Sequence, residues 1–250
     1  MKNKVIVLGT GPLANAICQY LTDRGYQPVR ADERPEADVM ALIDITTGME
    51  GEKKALLTEW EKQLAPDTPI FTSALHLTAT QIASWLKYPC RVVGFSPLYF
   101  EKWERVEVSC PLQAEGDERF EAALAVFEKW GKKAEIVGDE PGLVFPRTLA
   151  LLVNEAACCL QEKTATREDI DLAMKKGTNF PLGPLEWADE VGIDQIVAIL
   201  TGLHRELGDD RYRPVPLLRK MVYAGYWGKA AGRGFYHYDQ ILDSVTDKAR

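Results

Sequence analysis

Val5-Ile6-Val7-Leu8-Gly9-Thr10-Gly11-Pro12-Leu13-Ala14-Asn15-Ala16-Ile17 reads as a buried apolar strand that passes through a glycine turn into a helix. Gly9 permits the sharp turn, Gly11 lets a pyrophosphate approach the backbone, and Ala14 is small enough for the helix to pack closely on the strand. Pro12 suits a first helical position, and the first turn through Leu13 and Ala14 offers N–H groups and a partial positive charge to a phosphate. Working outward, the next strand ends on Asp32, about 20 residues after the glycines, where a carboxylate accepts from a ribose 2′-hydroxyl and repels a 2′-phosphate. Gly9, Gly11, Pro12, Leu13, Ala14 and Asp32 therefore predict an NAD site. The competing reading makes Asp32 and Glu33 a solvated charged turn.

The rest of the first half continues the pattern of a parallel sheet covered by helices. Strands are expected at Val5 to Leu8, Pro28 to Ala31, Val39 to Ile45, Ile70 to Ser73, Arg91 to Phe95, Arg105 to Ser109 and Ala134 to Val137. Helices are expected near 12–24, 50–64, 78–86 and 117–130. From Pro141 the strand signals stop, and Leu149, Leu152, Val153, Ala156 and Leu160 share one helical face. Thr166-Arg167-Glu168-Asp169 reads as a capping box, Pro181-Leu182-Gly183-Pro184 as a turn, and Ile193 to Leu207 as a further helix. The expected fold is α/β, a Rossmann-like dinucleotide-binding domain over 1–140 followed by an all-helical domain over 141–250.

A hydrophobic fraction of 46% over 250 residues supports a substantial core, and a net charge of −7 argues against a general nucleic-acid or anionic-membrane partner. Five cysteines, Cys18, Cys90, Cys110, Cys158 and Cys159, lie in apolar or helical settings without a C-x-x-C pair, which suggests reduced thiols and no metal site. No apolar run is long enough for a signal peptide or a membrane span, so a soluble cytoplasmic protein is expected.

The helical half carries Pro141-Gly142-Leu143-Val144, Asn154-Glu155-Ala156, Glu168-Asp169-Ile170-Asp171, Pro181-Leu182-Gly183-Pro184-Leu185 and Asp189 to Gly192. It closes on Gly228-Lys229-Ala230-Ala231-Gly232-Arg233-Gly234-Phe235-Tyr236-His237-Tyr238. This order of motifs resembles the C-terminal domain of 3-hydroxyacyl-CoA dehydrogenases, and with the glycine turn the resemblance spans most of the chain. It implies an NAD-binding domain, a helical domain that mediates homodimerisation, and hydride exchange between NAD and C3 of a 3-hydroxyacyl-CoA in fatty acid metabolism. Such chemistry uses a general base, commonly a His steadied by a carboxylate.

The chain departs from the family at the base. The family's G-x-H-F-F-N-P segment is represented by Gly94-Phe95-Ser96-Pro97-Leu98-Tyr99-Phe100, which holds no histidine; counting from Gly94 puts Ser96 at the His position. Glu107 in Val106-Glu107-Val108 is the best match to the catalytic carboxylate; the alternative is a strand-end glutamate facing solvent. His76 stands at or beside a family serine that touches substrate and nicotinamide, where it serves as a relocated base or simply as a hydrogen-bonding loop residue. Lys53 matches a lysine near the cofactor and substrate entrance, although Lys53-Lys54 also fits a solvated helix face. Pro146 replaces the family's Asn before Arg147, and the short stretch between Asp32 and Val39 lacks the helical hairpin that contributes to CoA binding. These features resemble the divergent second copy of tandem members. They leave three readings: an active NAD-dependent dehydrogenase of 3-hydroxyacyl-CoA, a degenerate nucleotide-binding or scaffold member, and a dehydrogenase of a hydroxy acid without CoA.

Overall fold

The computed structural model describes residues 3–31 and 39–238. The chain divides into two compact units, one of Met1–Leu151 with Ala198–Arg213 and one of Leu152–Val197 with Pro214–Arg250.

The first unit is built on seven strands: β1 (Lys4–Leu8), β2 (Gln27–Arg30), β3 (Val39–Asp44), β4 (Ile70–Ser73), β5 (Val92–Phe95), β6 (Arg105–Ser109) and β7 (Lys133–Val137). Between them run α1 (Pro12–Thr22), α2 (Glu50–Glu61), α3 (Ala79–Ala83) and α4 (Glu118–Lys129). The order across the sheet is β2-β1-β3-β4-β5-β6-β7. Alternate residues of β1 enter different cores. Val5 and Val7 pack with Ile17, Leu21, Phe120 and Phe127, whereas Ile6 and Leu8 pack with Leu57, Trp60, Ile82 and Leu86. Both faces of the sheet are thus covered by helices, which is why β1 and β3 are almost wholly apolar.

One expectation is corrected: the sheet is not parallel throughout. The first five strands are parallel, but β6 runs antiparallel to β5, with Gly94 opposite Ser109 and Phe95 opposite Val108. The β5–β6 connection, 96–104, has no crossover helix, and a parallel return needs one of a dozen or more residues. β7, which follows α4, pairs parallel with β6.

Five helices follow: α5 (Phe145–Gln161), α6 (Arg167–Gly177), α7 (Pro184–Val191), α8 (Ile193–Leu207) and α9 (Pro216–Tyr223) among the described residues. α5 and α8 each contribute residues to both units. Within the second unit, the Thr166 hydroxyl accepts from Asp169 N and caps α6. Two buried carboxylates hold this unit together. Asp171 accepts from Leu185 N (2.8 Å), Glu186 N (3.0 Å) and Tyr236 Oη–H (2.7 Å). Asp189 accepts from Phe235 N (2.9 Å), Tyr236 N (2.9 Å) and Tyr238 Oη–H (3.0 Å). The glycine-rich tail can approach because it lacks side chains: a Cβ on Gly234 would stand 2.5 Å from Asp189 Cγ.

Candidate active site

The glycine turn has the geometry of an anion cradle. Gly9 (φ 115°) and Gly11 (φ 87°) both occupy backbone conformations that L side chains rarely adopt. A Cβ on Gly9 would lie 2.6 Å from Ile45 Cγ1, so packing excludes one, whereas a Cβ on Gly11 would meet nothing within 4 Å. Gly11 therefore faces open space. α1 begins at Pro12, and no side chain caps its first turn. Ala14 is fully buried against the strand. These residues fit the pyrophosphate of a dinucleotide. Asp32 lies outside the described residues.

Arg30, at the end of β2, was not singled out from sequence. Its guanidinium donates to Gly9 O (3.2 Å) and Asn15 Oδ1 (2.6 Å), bracing the turn and adding positive charge beside it. Its sequence signal is a lone cation between Val29 and Ala31 in an otherwise apolar strand end.

A second group of polar residues gathers at the C-terminal ends of β3 and β4. Asp44 closes the apolar run Met40-Ala41-Leu42-Ile43 and is fully buried, as is Lys53 of α2; Lys53 Nζ lies 2.6 Å from Asp44 Oδ2. Lys53 also donates to Thr46 O (2.8 Å) and Ser73 O (3.5 Å), while Asp44 accepts from Thr46 N (3.0 Å), Thr46 Oγ1 (2.6 Å) and Thr72 Oγ1 (2.7 Å). Lys53 thus sits on no solvated face: its ammonium is consumed by an internal ion pair. Burial pulls its pKa down, opposed by the charge and hydrogen bond of Asp44.

His76 follows β4 and is 8% exposed, yet neither ring nitrogen has a hydrogen-bond partner, and the buried Ser73 Oγ has none either. Its backbone is tightly held. Arg205 Nη2 donates to His76 O (3.1 Å), and α8 presents Gly202 at a spot where a Cβ would approach His76 Cα to 2.7 Å. Nearby, Gly142 N donates to Ala74 O (2.8 Å), and the Asp139 carboxylate accepts from Ala79 N (2.7 Å) and Thr80 N (2.8 Å) at the start of α3. The His76 pKa is pushed down to about 3, first by burial and then by the charges of Lys53 and Arg205, with Asp44 opposing.

Ser96 is buried beyond the end of β5, and its N–H donates to Glu107 O (3.0 Å). The Glu107 carboxylate does not simply face solvent. It accepts from Val144 N (2.9 Å) and Phe145 N (3.0 Å), so it caps the start of α5. Tyr99, Trp103 and Phe145 form an aromatic group beside this cap, with Trp103 and Phe145 centroids 4.7 Å apart. Among the described residues no group of three or more His, Cys, Asp or Glu is placed to hold a metal ion.

Comparison with known proteins bears directly on this arrangement. The family profile for the 3-hydroxyacyl-CoA dehydrogenase C-terminal domain matches residues 142–238. A Bacillus subtilis protein named "Probable 3-hydroxybutyryl-CoA dehydrogenase" is 35% identical over 95% of this chain and 98% of its own length. The chain belongs to the 3-hydroxyacyl-CoA dehydrogenase family. Crystal structures agree: (S)-3-hydroxybutyryl-CoA dehydrogenase PaaH1 from Ralstonia eutropha superposes with a TM-score of 0.77 at 26% identity, covering 96% of this chain and all of that one. FadB2 of Mycobacterium tuberculosis gives 0.81 at 25% identity, covering 95% and 99%. Within this family member the glycine turn is intact, and His76, beyond the end of β4, is buried with both ring nitrogens unpartnered.

Proposed function

We propose that this chain exchanges hydride between NAD and the 3-hydroxyl carbon of a 3-hydroxyacyl-CoA, a step of fatty acid metabolism. The observation that carries the reading is the open glycine turn at an uncapped helix start, in a chain alignable over almost its whole length with a 3-hydroxybutyryl-CoA dehydrogenase homologue. Bound NAD would supply the hydride acceptor. Gly9, Gly11, Pro12, Leu13 and Ala14 would hold its pyrophosphate and Asp32 its ribose, with Arg30 bracing the turn and Lys53 fixing the floor through Asp44. His76, Ser96 and Glu107 would line the reacting end, Glu107 by positioning the start of α5.

The helical half would form the homodimer contact; the exposed Leu172 and Trp227 support this, and light scattering of the purified protein tests it. Among the described residues no helix is long and apolar enough to cross a membrane; the proposed location is the cytoplasm and the proposed partner a small-molecule substrate. The deciding experiment is oxidation of NADH by acetoacetyl-CoA and longer 3-oxoacyl-CoA thioesters, followed at the reduced-nicotinamide band. Turnover above blank is expected; a blank rate at every chain length overturns the proposal. One observation favours a second reading, nucleotide binding without turnover: the Glu107 carboxylate is already engaged by two backbone donors. NAD would then raise thermal stability with no turnover.

A further inference from the structure

We propose that Arg30 seats a 2′-phosphate at the adenosine end of the glycine-turn site, so that the protein takes NADP as well as NAD. The proposal rests on the dinucleotide reading above and names a second cofactor for the same site. Arg30 closes β2, where its Cα lies in register with Val7 of β1, yet its side chain reaches forward to the turn that follows β1. One terminal nitrogen of the guanidinium donates to Gly9 O (3.2 Å) and the other to Asn15 Oδ1 (2.6 Å) of α1. The cation thus bridges the end of β2 and the start of α1, the two elements between which a dinucleotide lays its adenosine ribose. Arg30 is half-buried and Asn15 exposed, so the guanidinium stands at the surface of the turn. Both acceptors are uncharged, and among the described residues no carboxylate pairs with Arg30.

A carboxylate at the end of β2 selects NAD by accepting from the ribose 2′-hydroxyl, and an arginine close by accommodates the 2′-phosphate of NADP. This chain holds both, Arg30 and Asp32, of which Asp32 lies outside the described residues. A guanidinium suits a phosphate because it presents parallel N–H groups to two oxygens and keeps its charge at every working pH. The bonds to Gly9 O and Asn15 Oδ1 engage one N–H on each terminal nitrogen, and the second N–H of each suits an oxyanion. The same two bonds hold the fork in place before a ligand arrives, which reduces the ordering cost of binding. A carboxylate partner would have neutralised the cation; a carbonyl and an amide oxygen leave its charge for the ligand.

The test is titration of the wild type, R30K and R30M with NADH and NADPH by nicotinamide fluorescence, and with 5′-AMP and 2′,5′-ADP by calorimetry. The wild type should bind NADPH within about tenfold of NADH, and added salt should weaken NADPH more. It should also bind 2′,5′-ADP more tightly than 5′-AMP. R30M loses the brace on Gly9 together with the phosphate partner, so both cofactors weaken, NADPH by a further 10- to 100-fold or about that, as for loss of a hydrogen-bonded charge. R30K keeps the charge without the fork and should fall between, and it carries the comparison if R30M does not fold. Equal weakening of NADH and NADPH in the variants overturns the proposal and makes Arg30 a brace alone. Wild-type binding of NADH without NADPH overturns it too, and leaves the NAD reading standing. Binding of neither cofactor overturns the dinucleotide reading and this inference together.

Discussion

Two buried polar clusters in this molecule are built on opposite terms. In the helical unit, Asp171 and Asp189 each receive three hydrogen bonds, and the donors are backbone amides of α7 and of the glycine-rich tail together with the tail's tyrosines. In the sheet unit, the Asp44–Lys53 pair is likewise satisfied, but His76 and Ser73 beside it are not. A cluster whose every group is met needs nothing more, and its contribution is structural. One that leaves buried groups unmet keeps a cost that a bound water, ion or ligand would relieve. The same chemistry of buried polar groups is therefore fully satisfied in one cluster and left open in the other.

The comparison is broken most severely at Lys53. Lys53→Met leaves Asp44 charged, fully buried and without its cation, and removal of one partner of such a pair costs about 3–5 kcal/mol. Chemical denaturation should show that loss, with part of it recovered in the Asp44→Asn, Lys53→Met double variant. A loss below about 1 kcal/mol would mean the pair is dispensable. Asp189→Ala should follow closely. It strands two amides and a tyrosine hydroxyl, for about 3 kcal/mol and a fall in Tm of about 6–12 °C. An unchanged Tm would show that the tail is not anchored by this carboxylate.

The two clusters should also respond to pH with opposite sign. Folded His76, with its pKa pushed down to about 3 from 6.5, binds its proton less tightly than the unfolded chain. Its contribution is fully present above pH 6.5 and is lost as pH falls toward 3, with a slope of up to about 1.4 kcal/mol per pH unit. Burial raises the pKa of Asp171 and Asp189, against their hydrogen bonds from Tyr236, Leu185, Glu186, Phe235 and Tyr238. The folded state then holds those protons more tightly, so their contribution to stability falls as pH rises above 3.8. Amide protection corrected for intrinsic exchange should weaken around β4 between pH 6.5 and 5, by about 2 kcal/mol, and not weaken around α7. H76Q should abolish the β4 slope; its persistence would place the titrating group elsewhere.

These contrasts also explain how far the sequence could be read. The glycine turn was legible because each residue's requirement is local: a positive φ at Gly9 and Gly11, a proline at the helix start, a small side chain at Ala14. The strands were legible from apolar runs bounded by turns, and Ile70–Ser73 and Arg105–Ser109 match the expected limits. The reversal at β6 was hidden because strand composition does not encode direction; only the missing crossover helix in 96–104 signals it. For Lys53 the sequence left open a place near the cofactor entrance and a solvated face beside Lys54, because its partner Asp44 lies on a different element. Glu107 as a cap and His76 as an orphan are facts of tertiary placement, which spacing along the chain cannot convey.

The smallest effects give the sharpest form of the comparison, because they remove a single oxygen from each cluster. Tyr238→Phe takes one of three donors from Asp189 while Phe235 N and Tyr236 N remain, so the expected loss is about 1 kcal/mol. Ser73→Ala removes a buried hydroxyl that has no partner in the protein, so its loss costs no hydrogen bond and relieves a desolvated group. Its stability should be unchanged or slightly higher, within about 0.5 kcal/mol. Urea unfolding of both variants side by side decides the matter. If Ser73→Ala is destabilised as much as Tyr238→Phe, the hydroxyl is already satisfied in the free protein and the two clusters are alike. If only Tyr238→Phe loses stability, the sheet unit keeps Ser73 for something other than holding its own fold together.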